Sequence, residues 1–311
     1  MSYQFQKISC VFVSSDTDDT LLCMKNEVCQ LPSQDDILEL GLPIDKLWLF
    51  DEVCSYEQDV CYEVTAYCFQ ETFDKKVVHV SDVEWKKSQA CLESFSFCFE
   101  TYLYQAFLNR KRYESQALVQ QIHDDLKRLV KPKRYQHSVA VSQMAEKLAK
   151  RYHAWIPKAS ITGLAHDIAK YFTVEELIQY AFDHQLELTE ADYLSPKILH
   201  GPIGSLYVKE HYEFTDDMCE AIYYHTTGHA GMTLLEKIIF MADKIDETRT
   251  YPGVDEIREL AFVDLNQAIQ KFLDDRIVRV IQRQDYLHPL SLETRNDVFL
   301  TQLENRGLED E

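Results

Sequence analysis

Ile161-Thr-Gly-Leu-Ala-His-Asp-Ile-Ala-Lys170 sets an adjacent histidine and aspartate among small apolar residues at helical spacing. Ile161, Leu164, Ala165, Ile168 and Ala169 recur every three or four positions, which predicts a largely buried helix. Gly163, Ala165 and Ala169 leave room for a second helix to pack closely. His166 and Asp167 then face the interior. A buried, ionised carboxylate without a partner costs several kcal/mol, so a salt bridge, a dense hydrogen-bond network or a metal ion has to accompany it.

The remainder of the chain supplies candidates for that partner. His137 follows Arg134-Tyr-Gln and is expected to start a helix with Val139 and Val141. His200 precedes Gly201-Pro-Ile-Gly204, at the first turn of another. His225 closes Ala221-Ile-Tyr-Tyr-His225 ahead of Thr226-Thr-Gly228, which suits a helix stop. Asp243 lies in Ile238-Ile-Phe-Met-Ala-Asp243, an otherwise apolar helix. Four histidines and two aspartates at inward or terminal positions exceed what one tetrahedral site uses, and imidazole with carboxylate suits zinc, iron or manganese, so the set predicts two metal ions. His79, His123, His153, His184 and His211 sit in polar or unpatterned surroundings and read as surface residues, and His229 is ambiguous because Gly228 interrupts the helix before it.

Composition bounds the rest. A chain of 311 residues suggests two domains. A formal charge of -20 leaves no basic face for nucleic acid or an anionic membrane. No apolar run of membrane-spanning length occurs and the first residues lack a signal-peptide core, which predicts a soluble cytoplasmic protein. Eight of the nine cysteines fall between Cys10 and Cys98, none in a C-x-x-C pair, and read as small buried residues of a reducing compartment.

Short β-branched or aromatic runs at Ile8–Val13, Thr20–Met24, Leu47–Phe50, Val60–Phe69 and Val77–Val80 predict strands, and the spacing from Leu92 to Phe107 predicts a helix packed on them. An α+β domain over residues 1–112 follows, with Asn109–Glu114 as the junction. From there to residue 311 the apolar stripes, broken at Lys131-Pro-Lys, Ile156-Pro and Pro252-Gly253, predict an all-α bundle whose last long stripe ends at Ile281, before Leu287-His-Pro289. The acidic end Leu308–Glu311 is expected to be frayed.

The order His137, His166-Asp167, His200, His225, Asp243 resembles the HD-domain metal-dependent phosphohydrolases. Arg134-Tyr-Gln-His-Ser138, Gly163–Lys170, His200–Gly204, Tyr224–Gly228, Leu235–Asp243 and Arg249–Glu256 resemble, more closely, the YqeK family of bacterial HD proteins, over about Tyr113 to Val298. That resemblance implies symmetrical hydrolysis of diadenosine tetraphosphate to two ADP, with iron. It departs at Gln136, where a glutamate is usual, at Lys244, where a tyrosine is usual, and in the extra amino-terminal domain. Residues 1–112 resemble a Nudix hydrolase domain without its glycine-rich turn and Arg-Glu-x-x-Glu-Glu helix, so an accessory part that binds, dimerises or covers the second domain is expected there.

Phosphoanhydride hydrolysis needs a hydroxide at neutral pH and a means of absorbing phosphoryl charge, and a metal pair supplies both. On that reading His137, His166, Asp167 and Asp243 hold one ion, and Asp167 bridges to a second held by His200 and His225. Asp167 and Lys170 are the catalytic candidates, Lys170 lying a turn beyond the aspartate toward the phosphate or leaving oxygen. His137, His200, Thr226, Thr227, Gly228 and Arg249 are expected to contact substrate, and the resemblance adds His288 and Pro289 beside the nucleoside. Another HD nucleotide phosphohydrolase or phosphodiesterase, or a non-catalytic sensor, stays open, as do manganese in place of iron and a homodimer.

Overall fold

Ser33 begins the first helix because its hydroxyl accepts from the Asp36 N–H while the Asp36 carboxylate accepts from the Ser33 N–H, a reciprocal cap that satisfies two otherwise unpaired donors. This computed structural model describes residues 4–13, 20–25, 28–40, 42, 44–57, 60–69, 83–86, 105, 107 and 110–309. The chain divides into two units, Met1–Arg112 with His153–Trp155, and Tyr113–Tyr152 with Ile156–Glu311.

Unit one contains β1 (Gln4–Phe12), β2 (Thr20–Lys25), β3 (Val28–Gln30), α1 (Gln34–Glu39), β4 (Leu47–Glu57), β5 (Val60–Phe69) and β6 (Val83–Lys86). Two three-stranded sheets form, ordered β1-β5-β4 and β3-β2-β6. In the first, β5 pairs parallel to β1, with Ile8 opposite Val64, and antiparallel to β4. The strand expected at Leu47–Phe50 therefore runs seven residues further, because β5 is long enough to pair with it as far as Glu57. Phe12, Phe50 and Phe107 pack in its core, Phe12 and Phe107 stacked at 4.3 Å. Val77–Val80, His79, Cys91, Cys98 and most of the helix expected from Leu92 lie outside the described residues.

Unit two is helical: α2 (Gln116–Leu129), α3 (Pro132–Arg151), α4 (Ile156–Ala165), a 3-10 turn (Ile168–Tyr171), α5 (Val174–Asp183), α6 (Glu190–Leu194), a second 3-10 turn (Pro196–Leu199), α7 (His200–Tyr212), α8 (Asp216–Tyr224), α9 (Leu234–Ile245), α10 (Val254–Ala261), α11 (Leu265–Gln282) and α12 (Pro289–Glu309). Its core joins Ile122 and Leu126 to Ile161, Leu164, Ala165 and Ile168, and on to Val208, Tyr212, Met218 and Ile222. Gly163 lies against Ser142 and Ala145 of α3, as its small size predicts.

Three expectations need correction. His137 does not start its helix: α3 begins at Pro132, whose fixed φ and missing N–H suit a first turn, and the histidine falls in the second turn. The continuous helix expected through Lys170 stops at Ala165 and resumes as a 3-10 turn, leaving His166 and Asp167 at the break. Neighbours on an unbroken helix diverge by about 100°, whereas the break lets both side chains turn to one centre. The bundle does not close at Ile281 either. A further helix, α12, follows Pro289, buries Thr294 and Val298, and continues to Glu309 in the acidic end expected to fray. No helix among the described residues is long and apolar enough to cross a membrane.

Candidate metal centre

His137 from α3, His166 and Asp167 from the break after α4, His200 at the start of α7, His225 at the end of α8 and Asp243 in α9 meet in the interior of unit two. All six are at most 7% exposed. Asp167 is central: Oδ1 lies 3.2 Å from His200 Nε2 and 3.6 Å from His225 Nε2, and Oδ2 lies 3.4 Å from His166 Nε2 and 3.7 Å from His137 Nε2. Asp243 Oδ1 is 3.0 Å from His137 Nε2 and 3.7 Å from His166 Nε2.

Local backbone geometry aims the rings. His166, His200 and His225 each place Nδ1 2.6–2.7 Å from the carbonyl three residues earlier, of Gly163, Lys197 and Ile222. A carbonyl only accepts, so Nδ1 carries a proton and Nε2 is the atom turned inward. Asp246 takes the corresponding place behind His137, 3.2 Å from its Nδ1. Gly201 permits the pairing of His200 with His225: a Cβ there would meet the Tyr223 carbonyl at 2.5 Å, so only glycine lets α7 start this close to the end of α8.

This donor set fits metal ions. The Nε2 atoms of His200 and His225 lie 2.9 Å apart, and with both protons on Nδ1 their lone pairs confront each other unless a cation or a donor joins them. His166 Nε2 is buried without a hydrogen-bond partner among the described residues. Three triads bring ligand atoms within 4.8 Å of one another: His137 with His166 and Asp167, His166 with His225 and Asp243, and Asp167 with His200 and His225. Two ions sharing Asp167 match that grouping.

The HD domain profile matches residues 134–248, which enclose all six residues. Over 169 residues the chain is 38% identical to the symmetrical bis(5'-nucleosyl)-tetraphosphatase of Bacillus subtilis (strain 168), spanning 54% of this chain and 87% of that one. The chain belongs to the HD-domain family. The symmetrical bis(5'-nucleosyl)-tetraphosphatase of Halalkalibacterium halodurans is also 38% identical over 179 residues, 56% of this chain and 95% of its own. A solved HD superfamily hydrolase from Clostridium acetobutylicum, described as involved in NAD metabolism, superposes with a TM-score of 0.58 at 38% identity, covering 59% of this chain and 97% of its own.

Charge in this HD domain is balanced by cations that sequence reading assigned elsewhere or passed over. Arg134 Nη1 donates to Asp167 Oδ2 at 2.6 Å, Lys244 Nζ to Asp243 Oδ2 at 2.6 Å, and Arg249 pairs with both Asp243 and Asp246. Burial would raise the carboxyls of Asp167 and Asp243, but histidine and lysine neighbours outweigh it and hold both well below the usual carboxylate range. Burial likewise lowers His166, yet Asp167 and Asp243 prevail and take it up to about 9, while burial pushes His225 down to about 3. A bound cation competes for the same place as the His166 proton, so metal binding should release it.

Lys170 is half-buried, with Nζ 3.0 Å from His200 Nδ1 and no carboxylate within ion-pair distance among the described residues. Thr226 places its hydroxyl 3.2 Å from His225 Nε2 and 3.4 Å from His200 Nε2. Thr227 and Gly228 pack on α12: the Thr294 hydroxyl donates to the Thr227 carbonyl, and Gly228, at φ +66, leaves no space for a Cβ beside Thr294. Thr226 and Thr227 border a cavity of about 420 Å³ with Asp243, Lys244, Arg249 and His288. Pro289 lines an adjoining cavity of about 440 Å³ together with Thr227, Tyr286 and His288.

Asp246 was not foreseen. It is fully buried, its Oδ1 accepts from the Thr248 N–H and hydroxyl, and its spacing three residues after Asp243 was the available signal. Of the histidines read as surface residues, His153, His184 and His211 are exposed, whereas His123 is half-buried beside the Tyr135 hydroxyl. His229 pairs with the buried Glu236 at 2.6 Å.

Proposed function

We propose that the chain hydrolyses dinucleoside polyphosphates, adding one water across the central phosphoanhydride of diadenosine tetraphosphate to give two ADP. The observation that carries this reading is the convergence of four imidazole Nε2 atoms with the carboxylates of Asp167 and Asp243, beside a cavity lined by Lys244, Arg249, Arg276 and Arg279. Residues 113–311 carry the chemistry, and residues 1–112 form an accessory domain.

In this reading His137, His166, Asp167 and Asp243 hold one ion, and Asp167, His200 and His225 hold a second. Two bound cations, iron or else manganese, would supply Lewis acidity at the phosphoryl oxygens and ready deprotonation of water. The protein's part is positioning. The carbonyls of Gly163, Lys197 and Ile222 and the Asp246 carboxylate fix the rings, which keeps reorganisation during turnover small. Lys170, half-buried and free of a carboxylate partner among the described residues, donates to a phosphate or leaving oxygen. Arg249 and Arg134, which neutralise Asp243 and Asp167 here, turn to the phosphates once cations take over that neutralisation. The same cations make a local positive site in a chain of net charge -20. The thiol of Cys219 is buried and free, which supports a reducing cytoplasm as the place of action.

Metal analysis of aerobically purified protein, paired with chromatography of nucleotide products, tests the reading. Two ADP from diadenosine tetraphosphate, with metal near two ions per chain, is the expected result. ATP with AMP, or metal-replete protein without turnover on any nucleotide, overturns it.

A further inference from the structure

Two groups of charged residues line the cavity of about 420 Å³ beside the metal centre. Asp243 and Lys244 of α9, with Arg249 just after it, form one, and Arg276 and Arg279 of α11 form the other. Aromatic packing holds α11 in place there: the Phe272 ring lies 5.9 Å from Phe240 of α9 and 6.4 Å from Tyr251, centroid to centroid. Arg276 follows Phe272 by one helical turn and Arg279 by two, so helical spacing carries both guanidiniums along the edge that Phe272 packs.

The two groups differ in how their charge is met. Lys244 and Arg249 both pair with Asp243. Neither Arg276 nor Arg279 has a carboxylate within ion-pair distance among the described residues, although Lys271 and Asp274 of the same helix are paired with Glu256 and Arg295. Arg279 lies 5.8 Å over the Tyr251 ring and donates to the Pro252 carbonyl at 3.2 Å, which fixes its position and leaves its charge uncompensated. Arg276 is exposed and makes no hydrogen bond or ion pair among the described residues. Like charges a turn apart destabilise a helix, and an anion between them reverses the sign of that interaction. The planar fork of a guanidinium matches a phosphate better than it matches water.

We infer that Arg276 and Arg279 form an anion subsite on α11 for the part of the phosphate chain that does not react, the part that departs with the leaving nucleoside diphosphate. This rests on the dinucleoside polyphosphate reading and deepens it. The ligand candidates around Asp167 set where the reacting phosphoryl group lies, and α11 recognises the phosphates beyond it, so the pair makes the site selective for a polyphosphate over a lone phosphate ester.

The test is a charge series at Arg276, whose side chain touches nothing that the fold needs: Arg276→Lys, Arg276→Gln and Arg276→Glu in the metal-loaded full chain. The KM for diadenosine tetraphosphate and the Kd of the product ADP, the latter by calorimetry, should both rise in the order wild type, R276K, R276Q, R276E. R276Q should lose about tenfold in each, as removal of one charge-assisted hydrogen bond entails, with kcat, metal content and melting temperature held. A flat series, or one that does not follow charge, overturns the inference. So does a series in which kcat and metal content fall with affinity, since that marks a structural part for Arg276. Wild-type protein that cleaves no nucleotide removes the phosphohydrolase reading and this inference together.

Discussion

Asp246 lies 3.2 Å from His137 Nδ1, its other oxygen held by Thr248, so a carboxylate outside the cluster of six backs a ring that belongs to it. Carboxylates in this position fix the tautomer and raise the basicity of the ligand. Replacing Asp246 with Asn should lower metal affinity or kcat by about 10- to 100-fold while the helical circular dichroism is retained. Metal titration of the variant checks this, and wild-type affinity with wild-type kcat would show that Asp246 is merely packed there.

Asp167 touches every histidine of the centre. In Asp167→Ala, metal content and turnover should both vanish from a protein that still folds, because two ion positions lose their shared ligand. An active, metal-replete variant would contradict the bridging role.

For Lys170 the expected signature is a split. Lys170→Met should reduce kcat by about 10²-fold, the usual cost of removing one donor to developing charge, with metal content unchanged. Metal loss in proportion to activity would instead make it a support for His200, whose Nδ1 it approaches at 3.0 Å.

Gly201→Ala would force a methyl against the Tyr223 carbonyl. Overpacking of this kind costs about 1–3 kcal/mol. Because the contact holds α7 against α8, thermal melting and metal affinity should fall together. A variant with normal melting temperature and metal binding would mean that the two helices adjust freely.

His229 makes stability depend on pH from the opposite direction to the carboxylates. Burial lowers its pKa, but Glu236 at 2.6 Å more than compensates, and the net shift is upward from 6.5. A group whose folded pKa is raised contributes fully below its unfolded value and loses that contribution as pH rises through the folded value. Chemical denaturation followed upward from pH 6.5 should therefore show a loss of stability that His229→Gln lacks. Parallel curves for the two proteins would assign the slope to other groups.

His166, Asp167 and Asp243 were legible in sequence because each sets a polar group where helical spacing puts apolar ones, and His137, His200 and His225 because they recur near the ends of such helices. Asp246, Arg134 and Lys244 carry no such signal. Each occupies a helix end or flank where charged residues are ordinary, and their part emerges only in the folded centre, where Arg134 reaches Asp167, Asp246 lies behind His137 and Lys244 pairs with its neighbour Asp243. α12 escaped notice for a related reason: Leu292, Phe299, Leu300 and Leu303 are exposed, so its apolar residues do not form the stripe that marks a buried face.

From the sequence alone came the helical nature of residues 113–311, the strands before them and the residues fit to hold metal, since helical spacing, β-branching and side-chain chemistry are local properties that need no neighbours. The tertiary structure alone decided that α4 breaks at His166-Asp167, that His200 and His225 face each other and that two cavities meet at His288. Those depend on how closely helices approach, and close approach is set by what distant residues leave room for, as Gly201 does beneath the Tyr223 carbonyl.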